Sequence, residues 1–433
     1  MIVSDIENQP VSNSFDKSNK NFILMVFGRL ISELGTSIFV FSISLYVLNS
    51  TKSAALYSTV LSFSILPNIL TNIIGGSIVD RCNKKKLIVF SDLVSGIVIF
   101  TFLAFFKLFP SNILIIIIFN MLLTTVQGLF SLTMTSSIAN VVNEKQVPKL
   151  NSVFTGFGSA ISIAGPFLGV VIFEYFNMSV IFAINGASFI ISGLLEVFIV
   201  FYNQNSNEET VKKAGNILKD YKKVMVYLKD TVKVRFLLII NSFIALVFAP
   251  IGAIIVPYVS YNVINVSEFQ LAVIQGSLAA GAIIASFLMT LITSVQYIFK
   301  RLYLFIHLQT AGIFLLCLPY FIPAGNSKWP VTVIFSVCLI FLGIVAVVRS
   351  IPISAYFQIS ISEGIRGRFF GFQNTLLTLF SFLGMWLYGV ILDKIPWIYL
   401  VLVSGIGSVI FIGLIQLRDR QNKIINMNEY SGP

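Results

Sequence analysis

Few side chains in this sequence could do chemistry, and most of those that could lie inside long apolar runs. Arg29 and Glu33 stand one helical turn apart in the first run. Counted from Asn21, Glu33 is about 18 Å deep at 1.5 Å per residue. An ionised group at such depth is costly and faces a cavity or a partner. Two readings stay open. Either Glu33 is a proton-binding or cation-recognising carboxylate with Arg29 tuning it, or the two form a self-satisfied ion pair that pins the helix. Glu196, late in the sixth run, has no local partner and is a second candidate for carrying a proton. Asp92 lies only a few residues into the third run, where cations of the preceding loop such as Arg81 could pair with it. Arg349 closes the tenth run, and its long stem would let the guanidinium snorkel to headgroups. The single histidine, His307, reads as a packed, hydrogen-bonded residue rather than a proton relay.

The chemistry these residues do not form is equally informative. No nucleophile stands with a base and an orienting partner. Neither a Gly-x-x-x-x-Gly-Lys-Ser/Thr loop nor a Gly-x-Gly-x-x-Gly turn occurs, so ATP-driven pumping and dinucleotide chemistry are not indicated. Cys82, Cys317 and Cys338 are too few and too scattered for a disulfide framework or a zinc site. No cofactor or metal is implied, and an enzyme is not expected.

The elements that must position these groups follow from composition. The chain has 433 residues, 56% hydrophobic and only 11% charged, against about 25% charged in soluble domains. Lipid must solvate part of so much apolar surface. Apolar runs near the roughly 20 residues a bilayer demands fall at Asn21–Leu48, Ala55–Val79, Leu87–Phe106, Ile113–Ile138, Val153–Tyr175 and Val180–Phe201, then at Phe236–Val259, Leu271–Thr293, Leu302–Ile322, Val331–Ser350, Phe370–Leu392 and Trp397–Leu417. They are continuous rather than alternating, which excludes a β-barrel. The fold class expected is therefore an all-α integral membrane protein of twelve transmembrane helices, arranged as two pseudo-symmetric six-helix bundles. The domains are a tail at 1–20, bundles at 21–201 and 236–417, a linker at 202–235 and a second tail at 418–433. The linker spaces Ile217, Leu218, Tyr221, Val224, Met225 and Leu228 as one face of a helix, a tether lying on the membrane surface. The tail at 1–20, rich in Ser, Asn and Asp, reads as disordered.

Charge sets the orientation. With the N-terminus inside, the outer loops hold Lys52, Lys107, Lys328 and Lys394, whereas most other cations fall in the inner loops and tails. Short loops rich in Lys and Arg stay cytoplasmic. Both termini are thus expected in the cytoplasm, and the net charge of +11 needs no nucleic-acid partner. Asn143-Glu144 and Ser362-Glu363 share one offset with Gly165 and Gly384, about half the chain, as parallel repeats would.

One loop carries more order than a turn requires. In Gly75-Gly76-Ser77-Ile78-Val79-Asp80-Arg81-Cys82-Asn83-Lys84-Lys85-Lys86, Gly76 would let a second helix approach. Asp80 could accept from the N–H groups at a neighbouring helix N-terminus, and Asn83 tolerates left-handed backbone at the reversal. This stretch resembles the loop between the second and third helices of the major facilitator superfamily of secondary transporters, whose pattern is Gly-x-x-x-Asp-Arg-x-Gly-Arg-Arg. Gly76, Asp80, Arg81, Lys84 and Lys85 match it, and Asn83 replaces a Gly. The resemblance implies that this loop latches one of the alternating states. In the fifth run, Gly156, Gly158 and Gly165-Pro166 with Gly169 allow close helix approach. Gly165, Pro166 and Gly169 are similar to the Gly-Pro-x-x-Gly-Gly motif of exporters, with Val170 in place of the last Gly. The fourth run lacks the Arg that many proton-coupled drug exporters of the superfamily carry. Glu144–Ser152, Asn185–Phe189 and Glu363-Gly364-Ile365-Arg366-Gly367-Arg368 are similar to segments of the macrolide-efflux-type branch. That branch also includes siderophore and other metabolite exporters.

The resemblance implies a monomeric secondary transporter of the cell (inner) membrane, exporting a small amphipathic molecule by proton antiport and alternating access. Its partners would be that small-molecule substrate, the proton gradient and the lipid bilayer. Uptake by the same fold, a lipid flippase and a non-transporting membrane sensor are the alternatives.

Overall fold

The computed structural model describes residues 11–110, 112–143, 146–201, 217–291, 295–322 and 327–422, and no strand occurs among them. In chain order the helices are α1 Val11–Thr51, α2 Ala54–Ile65, α3 Pro67–Arg81, α4 Lys84–Leu108, α5 Ile113–Val141, α6 Val147–Tyr175, α7 Met178–Val197, α8 Ile217–Asp230, α9 Val232–Pro250, α10 Val256–Tyr258, α11 Glu268–Leu291, α12 Val295–Lys300, α13 Leu302–Leu315, α14 Trp329–Ser360, α15 Glu363–Leu392 and α16 Trp397–Asn422. Twelve stretches among the described residues are long and apolar enough to cross a membrane, in the places the apolar runs predict.

Helices are the only way such runs can satisfy every backbone group within one segment in lipid. Their hydroxyls follow the same logic. Thr36 donates to the Ser32 carbonyl at 2.8 Å, Thr59 to Ala55 at 2.7 Å and Thr133 to Leu129 at 2.7 Å. Each polar side chain is thereby returned to its own helix. In the seventh span Pro257, which lacks an N–H and crowds the preceding turn, sits between two widened π-turns, Ile251–Ile255 and Val259–Val263.

Two compact units emerge. The first comprises the described residues of Met1–Phe41, Leu70–Gly165 and Val171–Ala214; the second comprises those of Ser42–Ile69, Pro166–Val170 and Gly215–Pro433. In the first, α4 packs between α5 and α7. Phe39, Phe102 and Phe182 form its buried aromatic centre, with Phe182 edge-to-face against Phe39 at 5.1 Å and against Phe102 at 4.8 Å. Such geometry suits the ring quadrupoles. In the second, α11 and α14 meet backbone to backbone: Gly281 rests on Ile340 and Gly343 on Leu278. Its core gathers Leu237, Phe299, Ile306, Phe357 and Phe369.

Two expectations change here. Helix α1 starts at Val11, inside the stretch read as a disordered tail. Polar residues that looked solvated find partners instead: Ser18 donates to Gln146 Oε1 at 2.5 Å and accepts from the Asn143 N–H at 2.9 Å. Asn21 donates to the carbonyls of Val141 and Val200 and accepts from the Val200 N–H. The linker's helical half is α8, but Val224 and Leu228 are buried in the core of the second unit rather than turned to a membrane surface. Residues 202–216, the first part of that linker, lie outside the described residues, as does the tail beyond Asn422.

Candidate functional site

The strongest chemistry in the first unit is a pair of buried carboxylates. Asp92 of α4 is 0% exposed and Glu196 of α7 is 1% exposed. The two helices come together where Gly193 leaves room, since a Cβ there would lie 3.4 Å from Asp92 Cβ and 3.2 Å from Leu93. Ser192, one turn before Glu196, lies against both acids. On the far side, Gln127 of α5 donates to Ser95 Oγ at 2.8 Å and reaches Asp92 Oδ1 only at 3.5 Å. Asp92 Oδ2 and Glu196 Oε2 are buried with no hydrogen-bond partner. No cation among the described residues lies within ion-pair distance of either. The position of Asp92 in α4 turns it inward against α7, and the Arg81 side chain lies outside the described residues. Glu196, expected to have no local partner, accepts from Ser192 Oγ at 3.5 Å through Oε1, and only its Oε2 is left without one. Two like charges this close in a water-poor bundle demand a proton or a cation.

Arg29 and Glu33 make the ion pair that their spacing allows, Nε to Oε1 at 2.6 Å, with side chains 25% and 34% exposed. The guanidinium also lies 4.4 Å from the centre of the Phe154 ring of α6, a cation–π contact. The contact compensates both charges and is common to the two readings of this pair. His307 is likewise satisfied, its Nε2 3.0 Å from Gln416 Oε1.

The loop between α3 and α4 is built differently from its expected form. Asn83 is extended, φ −64° and ψ 111°, and caps α4 by accepting from the Lys86 N–H at 3.1 Å. Left-handed backbone is not used, because a capping side chain closes the turn instead. A Cβ at Gly76 would meet nothing within 4 Å, whereas Gly75 is the residue pressed against Leu129 and Leu132 of α5. The close approach predicted at Gly76 is thus one residue earlier. Lys84 donates to the Ser136 carbonyl at 3.0 Å and reaches Asn140 Oδ1 at 3.4 Å, tying α4 to α5, and Lys85 is half-buried. The side chains of Asp80, Arg81 and Glu363 lie outside the described residues. Cys82 is exposed, whereas Cys317 and Cys338 are buried. At the start of α15, Arg366 Nε donates to the Ile361 carbonyl at 3.1 Å and Arg368 is exposed.

In α6 the glycine positions separate. Gly165 lies hard against Ser37 of α1, while Cβ atoms at Gly156 and Gly158 would meet nothing within 4 Å. Pro166 stays inside a continuous helix, and Gly169 is buried.

Two groups escaped the sequence reading of sites. Arg349 does not snorkel. It is 7% exposed, its Nε donating to Gln309 Oε1 at 2.9 Å and its Nη1 to Asn241 Oδ1 at 2.7 Å. Helix α14 continues to Ser360, so Arg349 is interior rather than terminal. Asp393, just past α15, accepts at the first turn of α2 from Ser53 Oγ at 2.6 Å, the Ala54 N–H at 2.7 Å and the Ala55 N–H at 3.2 Å. A carboxylate there satisfies orphan donors and the positive end of the helix dipole. Beside it, Gly389 sits on Ser58 and Ala54, and Phe382 meets Phe63 edge-to-face at 5.4 Å. The signal for Arg349 was present in the sequence, as an Arg flanked by the apolar residues of one continuous helix.

Twelve membrane-length spans among the described residues, with charged groups buried among them, define a polytopic membrane protein. The Major Facilitator Superfamily pattern matches residues 25–385, and the chain belongs to that family. Macrolide efflux protein A of Streptococcus pyogenes is 23% identical over 380 residues, 87% of this chain and 91% of that protein. An uncharacterised MFS-type transporter of Bacillus subtilis, YkuC, is 26% identical over 180 residues, 41% of each chain. Among solved structures, the fold is similar to an inward-facing bacterial homologue of the iron transporter ferroportin (TM-score 0.66, 14% identity, covering 95% of this chain and 99% of that one). It is also similar to a D-xylose–proton symporter (TM-score 0.70, 11% identity, 92% and 97%). At those identities the structures bear on fold alone.

Proposed function

We propose that this chain is a secondary active transporter that exports a small amphipathic molecule, a macrolide-like drug or a metabolite, by proton antiport with alternating access of the bundles 21–201 and 236–417. It would work as a monomer in the cell membrane with both termini cytoplasmic. The observation that carries the proton reading is the Asp92–Glu196 pair: two buried acids, each with an unpartnered oxygen and neither with a cationic neighbour among the described residues. A site that must take up a proton to be stable in one state, and can release it when water reaches it, is what an antiporter needs. Arg29 and Glu33, already paired and part exposed, are weaker candidates for that role. The macrolide efflux relative supports the substrate class and the outward direction.

Efflux of a fluorescent amphiphile and of radiolabelled macrolide from expressing cells, with and without protonophore, tests this reading. Wild-type efflux should be protonophore-sensitive. Asp92→Asn and Glu196→Gln should each abolish gradient-driven efflux while leaving substrate exchange across vesicles without a gradient. Equal efflux with and without protonophore, or wild-type pH dependence in both variants, would overturn the coupling role.

A further inference from the structure

Arg349 has no part in the proton reading, because a guanidinium keeps its charge throughout the working range of proteins. Its placement is nevertheless costly. It lies about eleven residues, or roughly 16 Å, from the nearer end of α14. Asn241 and Gln309 stand at comparable depth, about nine and seven residues into α9 and α13. At that depth a charge requires compensation. What the protein supplies is two neutral amide oxygens. They fill two of the five N–H donors and leave the positive charge standing, for no carboxylate among the described residues is within ion-pair distance. Further amide polarity occurs in this unit: Gln373 of α15, about ten residues into its helix, holds a buried Oε1 with no partner. Gripping Nε and one Nη from two neighbouring helices fixes the plane of the fork. A fixed, planar, uncompensated guanidinium is the receptor geometry for an oxyanion.

We propose that Arg349, oriented by Asn241 and Gln309, is an anion-binding site of the second unit, and that the transported solute presents a carboxylate, phosphate or sulfate group to it. This rests on the transporter reading above and narrows its substrate from amphiphiles in general to those bearing an anionic group. Arg349 would be the binding residue, with Asn241 and Gln309 positioning it.

The test is equilibrium binding to the purified full chain in nanodiscs, with no ion gradient, so that a failure of proton coupling leaves it untouched. Deoxycholate, kept below its micellar concentration, serves as the anionic probe and its methyl ester as the neutral one. Wild type should bind the carboxylate about tenfold or more tightly than the ester, the value of one charge-assisted hydrogen bond. Arg349→Gln should abolish that preference, with lipid partitioning alone as the residue. If Arg349→Gln does not fold, Asn241→Ala, which frees the fork but keeps the charge, should reduce the preference severalfold. Inorganic phosphate should fail to displace deoxycholate. Equal affinity for acid and ester in wild type, or a preference surviving in Arg349→Gln, would overturn the site. Displacement by millimolar phosphate would overturn its assignment to the transported amphiphile and give it to a free anion.

Discussion

At the scale of single residues, identical letters carry very different loads. Gly165 leaves no room beside Ser37, whereas Gly76 and Gly156 face open space. Gly165→Val should therefore cost about 1–3 kcal/mol through overpacking and lower the thermal unfolding midpoint in detergent. Gly76→Ala and Gly156→Ala should leave the midpoint unchanged or raise it, Ala being the better helix former by up to about 1 kcal/mol. A midpoint equally depressed by all three would mean that the glycines serve backbone freedom, not space. The acids and Arg349 make the related point about what sequence reveals. That Glu196 lacks an ion-pair partner on its own helix was legible, because no opposite charge lies within a turn of it there. That Asp92 faces α7 was not. Depth along a helix can be counted from its start, but the azimuth of a polar side chain depends on which neighbour packs there. Arg349 was misread for a further reason: the apolar run fades near Ser350 while the helix continues to Ser360. Hydropathy reports the loss of greasy side chains and not the end of hydrogen bonding.

At the scale of elements, sequence did well where one segment answers to solvent alone and poorly where two distant segments answer to each other. The twelve spans were legible because lipid forces every backbone bond inside its own run. The cap on α2 was not, since its acceptor, Asp393, comes from the other end of the chain. That cap makes a quantitative expectation. Asp393→Ala removes the acceptor for one hydroxyl and two N–H groups, and should cost about 1–2 kcal/mol. Hydrogen exchange at the first turn of α2 should rise, while exchange in the middle of α15 stays as in wild type. Unaltered exchange at Ala54 and Ala55 would show that water substitutes for the carboxylate without penalty. Helix α8 teaches the same lesson from the other direction. Its apolar spacing was plain in the sequence, but the surface it would cover, around Phe299 and Phe357, was not.

At the scale of the whole molecule, family and fold agree: a chain matched by the Major Facilitator Superfamily pattern from residue 25 to 385 carries its charges in two separate chemistries. In the first unit Asp92 and Glu196 are buried with no cation within ion-pair distance among the described residues, and in the second Arg349 is buried with no carboxylate within that distance. The proposals above assign the proton to one and an anionic substrate group to the other. Each can be lost by substitution without the other, because the first is read under a gradient and the second at equilibrium. The orientation of the chain is the remaining large-scale expectation, and the structure holds its own reporter. Cys82 is exposed on the loop between α3 and α4, and both other thiols are buried. A maleimide too polar to cross lipid should thus leave intact cells unlabelled and modify inverted vesicles at one position. Labelling of intact cells would place that loop, and with it both termini, on the outside. The unmodified protein thus carries a single-site tag for sidedness, and the same thiol could hold a fluorophore for following the loop as the transporter cycles.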